Sequence, residues 1–177
     1  MKYQMKNGET LTLRPPTVED AAELIKVMRQ MDTESPFLAR NPGEFSFTIE
    51  QEQTLIEAMA QNPDQQWYSA FYQGRLVGQC SAMLVSRGQR FRHRGGVAFA
   101  LLKEFWGRGI GGYMMEACLA WYREHGVEQV ELDVVAGNQR ALGMYKSFGF
   151  AVTGTRPRAL KYLDGTYADE YSMIKYL

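Results

Sequence analysis

Apolar residues recur along this chain with two different periods, which separate helices from strands. A spacing of three and four residues is typical of a helix with one buried face, as in the series Ala21, Leu24, Ile25, Met28 and the series Ile110, Met114, Ala117, Cys118, Trp121. This spacing predicts four helices, at residues 17–31, 48–61, 110–125 and 138–148.

Short runs of alternating or β-branched residues predict the strands, at residues 11–14, 67–72, 76–85, 97–102, 130–135, 150–155, 159–163 and 166–177. Asp164-Gly165 is a hairpin-turn signal between the last two. The continuous apolar run at 97–102 is typical of a strand covered on both faces. The order of elements predicts one α/β (α+β) domain over residues 1–177, with a mixed, mostly antiparallel twisted sheet of about seven strands flanked by about four helices.

Composition narrows the classes of function. The 177 residues are 45% hydrophobic, which suits one domain with an ordinary core. Lys plus Arg equals Asp plus Glu at 20 each, so no overall field attracts nucleic acid or an anionic membrane. No stretch has the apolar length of a signal peptide or a membrane span, and Cys80 and Cys118 lack metal-ligand spacing. We expect a cytoplasmic protein with two buried free thiols and no metal.

The most unusual segment is Trp106-Gly107-Arg108-Gly109-Ile110-Gly111-Gly112, which joins a predicted strand to a predicted helix. Small residues let a ligand approach the backbone, and the first turn of a helix supplies unpaired N–H groups, so this segment is a candidate phosphate site. Arg108 adds a forked cation. A glycine-rich turn without a ligand is the simpler alternative.

A dinucleotide-binding loop is a second interpretation of the same glycines. Gly107, Gly109 and Gly112 match G-x-G-x-x-G, and Asp133 lies about 20 residues further on, near a strand end. In a dinucleotide fold, however, the first glycine follows its strand almost directly. Here residues 103–106 intervene and four strands precede, which disfavours this interpretation.

Taken whole, the segment from 97 to 112 resembles the first cofactor motif of the GNAT superfamily of N-acetyltransferases. That motif is an apolar strand, a linker with an acid and an aromatic residue, and then [Q/R]-x-x-G-x-[G/A]; the chain has Phe99-Ala100-Leu101-Leu102-Lys103-Glu104-Phe105-Trp106-Gly107-Arg108-Gly109-Ile110-Gly111. Trp106 departs from the pattern, in which Gln or Arg is commonest. A second motif of the superfamily, N-x-x-A-x-x-[LM]-Y-x-x-x-G-F, is matched at every fixed position from Asn138 to Phe150.

The resemblance implies an acetyl-CoA-binding core within residues 97–150, and substrate-side helices with their loop within residues 1–62. The implied pyrophosphate site is the glycine loop, namely Gly107, Arg108, Gly109, Ile110, Gly111 and Gly112. The implied neighbours of the pantetheine arm are Phe99, Ala100, Leu101 and Asn138, although Asn138 is alternatively a brace for the splayed strands. A bulge in the strand at 99–102 is also implied, and it would free a backbone N–H for the developing oxyanion.

Tyr145 is the expected proton donor. Its position on the apolar face of a helix is by itself more typical of a core aromatic, but the second motif implies a catalytic role. A phenol with a pKa of about 10 stays protonated at neutral pH and can protonate a departing thiolate. The implied reaction transfers an acetyl group from acetyl-CoA directly to a primary amine.

The general base and the acceptor stay open. Candidate bases are acids in the loop and strands, namely Asp32, Glu34, Glu104, Glu131 and Asp133, and a water chain is an alternative. The basic segment 87–94, which includes His93, is either a solvated loop or a contact for an acidic substrate or the 3′-phosphate of CoA. The acceptor is expected to be a small-molecule or peptide amine, and a homodimer is left open. A non-enzymatic acetyl-CoA-binding sensor or partner module is the alternative, against which the retained Tyr145 argues.

Overall fold

The computed structural model describes all 177 residues. Its four helices are α1 (Ala21–Glu34), α2 (Ile49–Ala60), α3 (Ile110–Glu124) and α4 (Gln139–Ser147). Its eight strands are β1 (Lys2–Gln4), β2 (Thr10–Arg14), β3 (Gln65–Tyr72), β4 (Arg75–Leu84), β5 (Arg94–Leu101), β6 (Gln129–Val135), β7 (Ala151–Lys161) and β8 (Tyr167–Tyr176). No helix combines the length and the apolarity needed to cross a membrane.

All eight strands belong to one sheet, in the order β1-β2-β3-β4-β5-β6-β8-β7. Only β5 and β6 are parallel, because α3 carries the chain back between them. The predicted mixed, mostly antiparallel sheet is therefore confirmed. Two details of the strands differ: β1 was not predicted, and the predicted strands at 150–155 and 159–163 form one strand, β7, with register shifts.

The core lies between the sheet and the helices, and α3 contributes four of its twelve largest fully buried side chains, more than any other element. The first turn of α3 packs closely on α4, because a Cβ at Gly111 would come within 2.8 Å of the Met144 sulfur. Cys80 and Cys118 are both buried free thiols, as predicted.

The feature of the sheet that matters most for function is the divergence of β5 from β6. The two strands pair over only three residues, from Arg94↔Gln129 to Gly96↔Glu131. Beyond Gly96, β5 stays paired with β4 as far as Leu101 without a register shift. The bulge expected at 99–102 is thus absent, and the gap arises instead from the separation of the two strands.

The strand β5 is also not covered on both faces, contrary to the prediction for residues 97–102. Val97, Phe99, Ala100 and Leu101 are half-buried and Ala98 is exposed. The apolar run gave the wrong expectation because its side chains line an open groove rather than a closed core.

Tyr122 of α3 links β5 to β4 at the point where β5 leaves β6. Its buried ring lies against Gly95, where a Cβ would come within 2.3 Å of the ring, so only glycine fits. Its hydroxyl donates to the Gly96 carbonyl and accepts the Met83 N–H at 3.3 Å. Burial raises the pKa of this tyrosine, so the hydroxyl keeps the proton that it donates.

Candidate active site

The gap between β5 and β6 opens into a cavity of about 590 Å³, here called the donor groove. Its walls come from β5, the glycine loop, the start of α3, the end of β6 and α4. It brings together all the predicted site residues except Arg108, namely Phe99, Ala100, Leu101, Gly107, Gly109, Ile110, Gly111, Gly112, Asn138 and Tyr145.

Unpaired backbone groups of β5 face this groove. Arg94 O accepts the Val85 N–H at 3.0 Å, and the Leu102 N–H donates to Val77 O at 2.9 Å. The N–H and C=O groups of the even-numbered residues of β5 therefore point toward β4. Because peptide groups alternate in an antiparallel pair, those of Phe99 and Leu101 face the opposite side, where β6 has already diverged. Their N–H groups are therefore free to donate to a ligand in the groove.

The glycine loop reaches the groove with two residues in the left-handed region. Gly107 has φ 76° and Gly109, the N-cap of α3, has φ 84°. Side chains disfavour such backbone angles, which accounts for glycine at both positions. The first-turn N–H groups of α3 end the groove, and no acidic residue lies among them to repel an anion. Gly111 has no such backbone angle; it packs against the Met144 side chain of α4, whose sulfur would lie 2.8 Å from a Cβ at this position.

Arg108 does not line the donor groove. Its guanidinium lies over the rings of Phe105 and Tyr72, at 5.1 and 5.7 Å from their centroids. The cation at the groove is instead Arg140, in the first turn of α4, which stacks on Trp106 at 4.8 Å. Arg140 was missed because the second motif leaves that position variable. Trp106 in turn donates its Nε1–H to Leu101 O at 2.7 Å, which ties the loop to the end of β5.

Asn138 caps α4. Its Oδ1 accepts the Ala141 N–H at 3.2 Å, while its side-chain NH₂ makes no hydrogen bond within the protein. Asn138 therefore has a structural task of its own, and the amide donor that remains borders the groove.

Tyr145 is both a core residue and a groove residue. Only 8% of it is exposed, and its ring packs between Phe99 and Phe150, at centroid distances of 6.1 and 5.9 Å. Its hydroxyl makes no hydrogen bond within the protein, although Tyr145 lines the groove. Burial raises the pKa of Tyr145 to about 12, because the buried phenolate would lose its hydration.

A second cavity, of about 900 Å³, adjoins the donor groove and is here called the outer cavity. It lies between the loop at 32–42 and the β7–β8 hairpin at 159–164. The Tyr162 hydroxyl of the hairpin donates to Pro36 O of the loop at 3.0 Å and so joins the two segments. The two cavities share five lining residues: Ser35, Leu38, Ala39, Leu160 and Glu170. The outer cavity therefore opens directly onto the donor groove.

All five acids proposed from the sequence as bases are already engaged. Asp133 lines the donor groove and Asp32 lines the outer cavity, whereas the other three line neither. Their partners are Arg40 for Asp32, Lys103 N–H and Gln30 for Glu34, Arg75 for Glu104, Arg94 for Glu131, and Ser172 and Arg156 for Asp133. In four of the five, both carboxylate oxygens accept a hydrogen bond; in Glu104 only one does.

The basic segment 87–94 lies outside both cavities. Arg87 pairs with Asp64 and Arg94 pairs with Glu131, while His93 is exposed. This placement favours the solvated-loop interpretation over a contact with a ligand phosphate.

Comparison with known proteins identifies the family. A model described as the acetyltransferase (GNAT) family matches residues 25–150. The chain therefore belongs to the GNAT acetyltransferase family. This membership, together with a sheet that contains a single parallel pair, overturns the dinucleotide-fold interpretation of the glycines.

Individual relatives agree with this assignment. The GNAT-family acetyltransferase of Streptococcus pneumoniae has a TM-score of 0.87 at 26% identity, covering 94% of this chain and 99% of that one. The yncA protein of Salmonella typhimurium, solved with acetyl-CoA as its cofactor, shares the fold with a TM-score of 0.80 at 17% identity, over 94% of both chains. The L-amino acid N-acetyltransferase AaaT of Escherichia coli is 37% identical over 87 residues, 49% of this chain and 44% of AaaT. The chain thus spans less than half the length of the curated relatives that it matches.

Proposed function

We propose that this protein is an acetyl-CoA-dependent N-acetyltransferase that acts on a primary amine. The observation that carries the proposal is the donor groove itself. It runs from a glycine loop at a helix N-terminus, along unpaired peptide groups of a diverging strand, to an unpartnered tyrosine hydroxyl. These are an anion site, an amide-pairing edge and a proton donor, in one cavity.

The residues of the groove fit acetyl-CoA. First-turn N–H groups of α3 and the nearby Arg140 suit the pyrophosphate, and the free edge of β5 at Phe99–Leu101 suits the amide groups of the pantetheine arm. Asn138 has an unused amide donor at the same groove. Bound there, acetyl-CoA supplies an activated acyl carbon and a thiol leaving group. In this proposal residues 97–150 form the donor site.

Two groups of the chain then assist the reaction. A free N–H of β5, at Phe99 or Leu101, donates to the oxygen on which negative charge develops. Tyr145 donates its hydroxyl proton toward the departing sulfur. No covalent enzyme intermediate is involved, and the buried Cys80 and Cys118 take no part.

The acceptor amine enters through the outer cavity. Its volume of about 900 Å³ suits a small molecule or the first residues of a peptide. Residues 1–62 supply one wall through the loop at 32–42, and the β7–β8 hairpin supplies the other. The sequence analysis had assigned the substrate side to residues 1–62 alone and did not include this hairpin. The name of the Escherichia coli relative makes L-amino acids the first acceptors to test.

The test is thiol release from acetyl-CoA by the purified protein with amino acids, polyamines, aminoglycosides and peptides as acceptors. We expect acceptor-dependent release with at least one class of amine and a mass gain of one acetyl group on that acceptor. Tight CoA binding without turnover on any acceptor would instead support a non-enzymatic acetyl-CoA-binding module.

A further inference from the structure

The junction between the two cavities restricts which residue can handle the proton of the acceptor; this step rests on the function proposed above. The amine must reach the acyl carbon where the outer cavity meets the donor groove. Of the five residues that border both cavities, three are apolar and one is Ser35. Glu170 is the only ionisable group among them, and no feature of the sequence pattern had indicated it.

Glu170 combines a free carboxylate oxygen with a place at the junction; Glu104 also has a free oxygen but borders neither cavity. Glu170 lies on β8, opposite Val135 of β6 and Arg156 of β7. Its Oε2 accepts from Arg156 Nη1 at 2.9 Å, while its Oε1 accepts no hydrogen bond from the protein. Its side chain is 20% exposed. One carboxylate oxygen is thus held in place, and the other is free at the junction.

The charges around Glu170 favour a cation. Arg156 also pairs with Asp133, at 3.2 Å, so that one guanidinium serves two carboxylates and the group carries a net negative charge. Asp133 borders only the donor groove, and both of its oxygens are engaged. The other charged residues that line the two cavities are Asp32, Arg40, Arg140, Lys161 and Asp164, and Asp32 and Arg40 neutralise each other.

We infer that Glu170 binds the ammonium form of the acceptor and takes its first proton. The nitrogen lone pair that this frees forms the C–N bond with the acetyl carbon, while the C–S bond breaks and its electron pair stays on sulfur. The Tyr145 hydroxyl donates a hydrogen bond to the sulfur while charge builds there and relays to it the second proton that the nitrogen loses, and the proton on Glu170 passes to solvent. Glu170 thereby selects basic primary amines.

The test compares two amines that differ in basicity but little in shape. Ethylamine is an ammonium ion at pH 7, whereas 2,2,2-trifluoroethylamine is largely neutral and needs no base before attack. Because general-base catalysis is worth about 100-fold or more, E170Q should lower kcat/KM by about that factor for ethylamine and by at most about threefold for trifluoroethylamine. The Kd of CoA, measured by calorimetry, should not change.

The matched control is Glu131→Gln. Glu131 lies on the adjacent strand, pairs with Arg94, has a side chain that is 26% exposed and borders neither cavity. The Glu131→Gln variant should keep the wild-type ratio of kcat/KM for ethylamine to kcat/KM for trifluoroethylamine. Glu170→Asp, which restores a carboxylate, should recover part of the ethylamine rate and serves if E170Q melts at a lower temperature.

Two results would overturn the inference: an equal loss with both amines, which indicates a structural role, or no loss with ethylamine. Wild-type protein that releases no thiol with either amine or with any acceptor of the wider panel would contradict the proposed function, whatever the variants do.

Discussion

Among single residues, Tyr145 combines a packing role in the core with the proposed role of proton donor. Packing between Phe99 and Phe150 places the ring in the core, and desolvation raises its pKa to about 12. The phenol therefore stays neutral at any physiological pH. A thiol has an ordinary pKa of about 8.5, so complete proton transfer from such a phenol to a finished thiolate is uphill. In the proposed reaction, Tyr145 therefore donates a hydrogen bond while charge builds on the sulfur.

Tyr145→Phe tests this role. The ring and its packing remain, so the Kd of CoA should stay within about threefold, while kcat falls by about 100-fold or more, as expected for loss of a general acid. Because the hydroxyl stays protonated well below pH 12, the ratio of wild-type to variant kcat should be constant between about pH 7 and 10. The measurement is steady-state kinetics across that range.

Tyr113→Phe is the matched control. Tyr113 lies on α3 against Tyr3, at a ring distance of 4.8 Å, and lines neither cavity. Its loss of a hydroxyl should leave kcat near the wild-type value. If Tyr145→Phe also keeps wild-type kcat while the chemical step limits the rate, Tyr145 is a packing residue.

Among the elements, the glycine loop depends on backbone conformation rather than on space. A Cβ at Gly109 would meet no atom within 4 Å, yet φ there is 84°. Gly109→Val should therefore force the loop out of its left-handed turn and away from the groove. We expect the Kd of CoA to rise at least about tenfold, since the left-handed region costs about 1–2 kcal/mol per side chain. Calorimetry gives the Kd.

Gly74→Val is the matched control, because Gly74 has a similar backbone angle but does not line the donor groove. It turns the β3–β4 hairpin with φ 83°, and a Cβ there also meets nothing within 4 Å. Gly74→Val should lower stability to a similar extent but leave the Kd of CoA unchanged. Unchanged affinity in a folded Gly109→Val protein would remove the phosphate site from the loop.

The periodic pattern predicted the elements better than it predicted their packing. The second helix was placed at 48–61 and is Ile49–Ala60, because a Thr48 capping box marks its start. The short β1 escaped because three residues are too few for a period-2 pattern. The periodic pattern gives no sign that β5 and β6 diverge, because it describes each strand separately and not where the pairing of two distant strands ends.

The candidate site was likewise predicted well where it depends on local motifs and poorly where it depends on packing. The motifs placed ten of the eleven predicted site residues around one groove, because each motif is local in sequence. Arg108 was expected there and turns onto Phe105 instead, because the direction of a side chain depends on its neighbours in space. Glu170 reaches the junction only through the pairing of β8 with β6 and β7, which no local pattern reveals.

Across the whole molecule, the donor groove interrupts the sheet at its centre. Strands β1 to β5 lie on one side and β6, β8 and β7 on the other, and the two parts share only the three residue pairs of β5 and β6. A ligand that fills the groove would contact β5, β6, α3 and α4 together, because all four line it. Binding of such a ligand would therefore join the two parts of the sheet and raise the free energy of unfolding.

This arrangement predicts a selective gain in thermal stability. CoA or acetyl-CoA at about 100 times its Kd should stabilise the folded protein by about 2.7 kcal/mol, which for a chain of this length corresponds to a rise in Tm of about 5–10 °C. NAD and ATP at the same concentration should leave Tm unchanged, because neither carries a pantetheine arm to pair with the free edge of β5. Scanning fluorimetry measures all four ligands in parallel, and Gly109→Val should lose the CoA effect whereas Gly74→Val should keep it. A rise with ATP or NAD equal to that with CoA would reveal a general adenine-nucleotide site, and no rise with CoA would contradict the assignment of the donor groove.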